Sequence, residues 1–139
     1  MFKLDPRIEK DSIFIKDLPL CQIRLQNDSR YPWLVLLPSR NDLTEVYELT
    51  EEDQELLIKE SSLVSKALAL TTNCKKVNVA NLGNVVSQLH WHVVARFEQD
   101  LTWPGPIWGI GTSVPWGDQK RAEFIDSFIR NLAELLNSD

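Results

Sequence analysis

The sequence predicts an α+β fold, with about five strands in an antiparallel sheet, one long central helix and one C-terminal helix. Three observations carry this. Apolar residues recur with helical spacing over two long stretches, 50–73 and 118–136. Shorter stretches with alternating or continuous apolar character are strand-sized. The links between them are mostly turn-length, which favours antiparallel pairing. At 139 residues the chain fits one domain, spanning 1–139, and can bury a real core.

The elements follow in order. Asp5 ahead of Pro6 is a helix start, so a short helix is expected near residues 4–11. Residues 12–16 and 20–25 alternate as strands, separated at Leu18 and Pro19. Residues 27–30 form a turn. The apolar run from Trp33 to Leu37, closed by Pro38, reads as a strand buried on both faces. Thr50 is a good N-cap, and Glu51, Glu52 and Asp53 suit the positive end of the helix dipole. Leu56, Leu57, Leu63, Val64, Ala67, Leu68 and Leu70 then form the helix's apolar face, which ends near Asn73. Residues 75–80 and 89–97 are two further strands, with a turn at 81–84 whose Gly83 allows close backbone approach. A loop rich in Pro, Gly and Trp precedes the last helix, which starts at Gly117 or Asp118. Its face comprises Ala122, Phe124, Ile125, Phe128, Ile129, Leu132, Leu135 and Leu136.

Composition excludes several function classes. With 43% hydrophobic and 25% charged residues the chain resembles an ordinary globular protein. No apolar run is long enough to span a bilayer, and Met1 to Arg7 show no signal-peptide core. The expectation is a cytoplasmic protein without membrane contact. A net charge of −5 without a basic run argues against an extended nucleic-acid surface. A mononucleotide or dinucleotide needs only a few donors and stays possible. Cys21 and Cys74 read as small buried apolar groups.

The only two histidines, His90 and His92, sit two residues apart in Gln88-Leu89-His90-Trp91-His92-Val93-Val94. If this is a strand, Gln88, His90 and His92 share a face, with i and i+2 about 7 Å apart at roughly 3.3 Å rise per residue. Imidazole suits acid–base, nucleophilic and metal chemistry near neutral pH. A His-x-His pair can also converge on a metal ion, with Glu98 or Asp100 as a third ligand. A purely structural pair of strand histidines is the bland alternative.

This segment resembles the signature of the histidine-triad (HIT) superfamily, in which three histidines alternate with apolar residues. Asn78, Gly83 and Asn84 ahead of it are similar to that family's phosphate-binding approach, and Trp33 to Arg40 to its strand ending in Pro and a basic residue. The likeness covers about residues 12–97, and the segment 103–109 is similar to a bacterial HIT-like subgroup with Gln in place of the first histidine. The resemblance implies a nucleotide-binding fold, commonly a homodimer whose sheets join. It implies hydrolysis or transfer at the α-phosphate of a purine nucleotide or nucleotide conjugate, without a metal or other cofactor. It makes His90 the nucleophile of a covalent nucleotidyl-histidine, His92 the partner of phosphate and leaving group, and Gln88 the supporting member. Asn78 would hold the ribose-phosphate and Asn84 the phosphate. Asn27 lies roughly where the family contacts the ribose, and backbone N–H groups near Gly83 could stabilise phosphate charge.

Gln88 departs from the pattern, since an amide cannot titrate or carry charge. A catalytically weak or inactive nucleotide-binding regulator is therefore the alternative. Trp91 is expected in the core or a dimer interface. Trp103 and Trp108 either close over the pocket as an aromatic lid or pack the last helix. Arg40 and Arg96 are expected as solvated surface residues.

Overall fold

The computed structural model describes residues 1–138. Its elements are α1 (Pro6–Asp11), β1 (Ser12–Asp17), β2 (Cys21–Gln26), β3 (Trp33–Pro38), α2 (Glu51–Thr72), β4 (Lys76–Asn81), β5 (Trp91–Arg96) and α3 (Asp118–Asn137), with a 3₁₀ turn at Val46–Glu48. The strands form one sheet in the order β1-β2-β3-β5-β4, and every pairing is antiparallel. The predicted α+β class and strand count are found. β5, the last strand in sequence, lies between β3 and β4, so the histidine strand is interior.

The central helix begins as its sequence directs. The Thr50 side chain accepts from the Asp53 N–H, and three acidic residues fill the first turn. It ends at Asn73, which takes the left-handed conformation at φ 55°. Leu57, Val64, Ala67 and Leu68 face the sheet and are fully buried, whereas Leu70 is exposed. In α3, Phe128 and Leu132 are buried, while Ala122 and Leu136 lie exposed at the margin of the expected face. Both helices cover the same side of the sheet, packing on Ile23, Leu25, Leu34, Leu36, Val93 and Ala95.

One polar residue sits within this apolar layer. Glu60 of α2 is buried and accepts from the backbone N–H groups of Leu20 and Cys21, at 2.9 and 2.8 Å. Those donors lie just before and at the start of β2 and need partners once buried. Burial, reinforced by Glu60, pushes the Cys21 thiol far above its usual range and makes it inert.

The opposite side of the sheet is covered by α1 and by the long loop 97–117. Ile8 packs on Val35 and Leu37. Ile107 packs on Tyr31 and Val94. No helix among the described residues is long and apolar enough to cross a membrane.

Candidate functional site

β5 distributes its side chains by strand parity. Trp91, Val93 and Ala95 face the helices; His92, Val94 and Arg96 face the other way. Trp91 packs against the main core, as expected. The strand begins at Trp91, two residues later than its apolar pattern suggests. The Leu89 N–H is spent on the carbonyl of Leu43, which takes the chain out of the ladder just before the histidines. The two imidazoles still come together, with ring centres 4.8 Å apart and planes at 75°. Both side chains are buried.

Their hydrogen bonds define their protonation patterns. His90 Nδ1 lies 2.6 Å from the carbonyl oxygen of Gln88. A carbonyl only accepts, so Nδ1 carries a proton, and in the neutral ring Nε2 is the nitrogen with the lone pair. His92 is the reverse. The indole N–H of Trp33 donates to His92 Nδ1 at 3.0 Å, and His92 Nε2 lies 3.2 Å from the Leu82 carbonyl. An indole N–H only donates, so His92 is protonated on Nε2 alone. Burial, and then the nearby His90, hold the His92 imidazole at about 4, well below its usual 6.5 and against a weaker pull from the Leu82 carbonyl. His92 is therefore neutral at physiological pH.

The rings line a cavity of about 470 Å³. Leu82, Gly83, Asn84, Val85 and Val86 form one wall, immediately beside His90. A Cβ at Gly83 would stand 2.8 Å from the Val86 carbonyl oxygen, so only glycine allows this wall to fold so tightly. Arg7 and Asp11 of α1 and Gln26 of β2 also line the cavity, with Trp33 and Trp108 beside the rings. Arg7 is held by Asp5 and reaches the Val85 carbonyl, which ties α1 to the Gly83 wall.

The predicted residues separate into two groups. His90, His92, Gly83 and Asn84 meet at the cavity. Gln88, Asn78 and Asn27 lie outside it. The Gln88 amide turns toward the N-terminal arm, accepting from the Asp5 N–H at 2.8 Å and donating to the Lys3 carbonyl at 2.8 Å. Because β5 has not yet begun at Gln88, strand parity does not align its side chain with the imidazoles; its backbone carbonyl is what touches His90. The Asn78 side-chain amide oxygen Oδ1 accepts from Arg96 at 2.8 Å. Asn27 accepts from the Trp116 N–H at 3.0 Å and pins the loop, while Gln26 reaches the cavity instead.

Arg96 overturns its sequence reading as a solvated surface residue. It is 1% exposed, paired in two-pronged fashion with Asp100 at 2.7 and 3.0 Å, and capped by Tyr31 and Trp103. Asp100 is thereby spent on Arg96 and on loop N–H groups, away from the imidazoles. Among the described residues, no three His, Cys, Asp or Glu side chains are grouped to hold a metal. Arg40 is the solvated arginine, ion-paired with Asp53.

The tryptophans divide the alternatives between them. Trp108 closes over the site, 5.4 Å from the His92 ring and 6.4 Å from the Trp33 ring. Its buried Nε1 has no partner among the described residues. Trp103 stacks on Arg96, and Trp116 packs on Phe124 of α3. Sequence reasoning missed Trp33 as a site residue. Its only signal was parity within β3; the register Val35 opposite His92, which brings Trp33 diagonal to the imidazole, is a long-range pairing.

Comparison with known proteins agrees with this geometry. The HIT domain family model matches residues 7–99. Three crystal structures of histidine-triad proteins are similar over nearly the whole chain. The protein from Sinorhizobium meliloti is 48% identical, covering 94% of this chain and 96% of that one, with a TM-score of 0.92. That from Bradyrhizobium japonicum is 40% identical over 94% and 98%, also at 0.92. That from Marinobacter aquaeolei is 37% identical over 97% and 98%, at 0.93. No curated protein matches. The chain belongs to the HIT family.

Proposed function

We propose that this HIT-family chain is a cytoplasmic nucleotide hydrolase or nucleotidyltransferase, acting at the α-phosphate of a purine nucleotide conjugate through a nucleotidyl-His90 intermediate. One observation carries the reading: the bond from His90 Nδ1–H to the Gln88 carbonyl selects the tautomer in which Nε2, in a cavity-lining side chain, is the nucleophilic nitrogen. In the first step Nε2 attacks phosphorus, an N–P bond forms and the bond to the leaving group breaks. In the second, water attacks phosphorus, the N–P bond breaks, and the water's surplus proton passes to solvent. An acceptor hydroxyl in place of water gives transfer.

The supporting groups fit this chemistry. Arg7 and Asn84 line the cavity as donors for phosphate oxygens. The His92 Nε2–H, which donates to the cavity-lining Leu82 carbonyl at 3.2 Å, becomes a third donor where a phosphate oxygen shares or replaces that acceptor. A neutral His92 is no acid near neutral pH. It stabilises charge as a hydrogen-bond donor, so the substrate class is one whose leaving group needs no protein proton: a phosphate, or an amine that leaves already protonated. Asn78 and Asn27 support the site through Arg96 and the loop. The open edge of β4 suits a homodimer in which two sheets join.

The test is incubation with adenosine phosphoramidate and with dinucleoside polyphosphates, with and without chelator, followed by intact-mass trapping of the intermediate. Turnover with a nucleotidyl adduct is expected, indifferent to chelator, and lowered about 10³-fold or more in His90→Ala. Tight AMP binding without turnover, gained on Gln88→His, would favour the regulatory alternative. Chelator-sensitive turnover would overturn the reading.

A further inference from the structure

We propose that Trp33 is a positioning residue for His92: its indole N–H occupies Nδ1, so His92 keeps its proton on Nε2, at the Leu82 wall of the cavity, and presents no base. The inference rests on the proposed reaction for its consequence, but on the rings alone for its geometry. Imidazole has two nitrogens, and in the neutral ring either can hold the proton. Here the choice is made by a partner that has only a donor to give, 3.0 Å away. The Leu82 carbonyl, which has only acceptors, completes the same choice from the other side.

The surroundings hold the arrangement. Trp33 and His92 rings lie 5.6 Å apart, and Trp108 stands edge-on to both, so neither ring turns without displacing the other two. Trp33 is also packed against two small apolar clusters, one of Tyr31, Val94 and Ile107 and one of Ile8, Val35 and Leu37. The titratable groups that share the cavity are His90, just before the same strand, and Arg7 and Asp11 from α1. None takes the place of the indole donor at Nδ1. With the donor removed, Nδ1 becomes a free basic nitrogen; the Leu82 carbonyl at 3.2 Å is then the one remaining hold on the Nε2 proton, and the ring takes up a second proton, or shifts its first, more readily. A misplaced proton removes the donor from the phosphate, and a charged ring beside His90 opposes the charge that His90 acquires on attack.

The experiment reads the imidazole directly. Long-range ¹H–¹⁵N spectra of the histidine rings, recorded between pH 4 and 8, report which nitrogen of His92 is protonated. The full chain is used as wild type, as Trp33→Phe, and with Trp33 replaced by benzothienylalanine, whose sulfur stands where the N–H was. The benzothienyl form keeps the ring's shape should the Phe variant fold poorly. In the wild type His92 is expected as the Nε2–H form down to about pH 5, consistent with its depressed basicity. In both variants His92 should show mixed protonation and titrate closer to its usual value. With the conjugates above, kcat should fall about tenfold or more while KM stays within about twofold. An Nδ1–H form in the wild type overturns the proposal. So do variants whose spectra or kcat match the wild type. If the wild type turns over no conjugate, the proposed reaction fails instead, and the spectra together with AMP affinity judge Trp33 alone.

Discussion

The two faces of β5 are buried equally well and by different means. Toward the helices, Val93 and Ala95 belong to the main apolar cluster, with side chains of β2, β3, α2 and α3. Toward the loop, His92, Val94 and Arg96 are just as hidden, yet two of the three are polar and every one of their polar bonds goes to a named partner. The first face is non-directional: any residue of suitable volume fills it. The second is directional, because a buried polar group without its partner costs the full loss of its hydration. Directional burial is what a reactive site needs, since it sets which nitrogen of each ring carries a proton.

The sharpest way to break the contrast is to remove one polar partner. Arg96→Ala leaves Asp100 buried without its counter-charge and frees Asn78, and should cost about 3–5 kcal/mol in urea unfolding. The loop that holds Trp108 should loosen with it, read as faster proteolysis between residues 98 and 117. Next comes the apolar face. Leu68→Ala, at a fully buried position on α2, should cost about 2–4 kcal/mol while leaving turnover per folded molecule unchanged. If the helix-side change damages turnover as much as the loop-side change, the two faces are not separable.

The smallest effect is read by pH. His92 has its folded value below its usual one, so its contribution to stability is complete above about 6.5 and is lost as pH falls toward about 4. Asp100 behaves likewise at lower pH. Burial pushes its carboxyl up, but the Arg96 bond and the loop N–H groups outweigh this and hold it below its usual 3.8. Thermal scans should show a decline between pH 6.5 and 4 that His92→Asn flattens and Leu68→Ala does not. A decline of the same slope in both variants would place the titrating group elsewhere.

Much of this was legible from local pattern. Thr50 as cap and Asn73 as terminus of α2, the strand from Trp33, and the pairing of His90 with Gly83 all follow from short-range rules. The failures share one cause. Strand parity aligns Gln88 with the imidazoles, but a backbone bond from Leu89 to Leu43 takes the chain out of the ladder before Gln88 is reached. Arg96 was expected in solvent because arginine usually is; Asp100, Tyr31 and Trp103 enclose it, and two of these lie close by in sequence without announcing their direction. Trp33 and Trp108 belong to the site through register and loop closure, which leave no local mark.

By itself, then, the chain's pattern determined the α+β class, the five strands, most of both helix faces and the closeness of the two histidines. Each depends on neighbours within a few residues, through periodicity, capping and turn chemistry. Tertiary structure alone decided what the pair can do. Which imidazole nitrogen bears a proton depends on partners 10 to 59 positions away for His92, at Leu82 and Trp33, and on a backbone turn for His90. A proton's position follows the nearest donor or acceptor in space, and only the folded chain brings that partner within 3 Å or so of the ring.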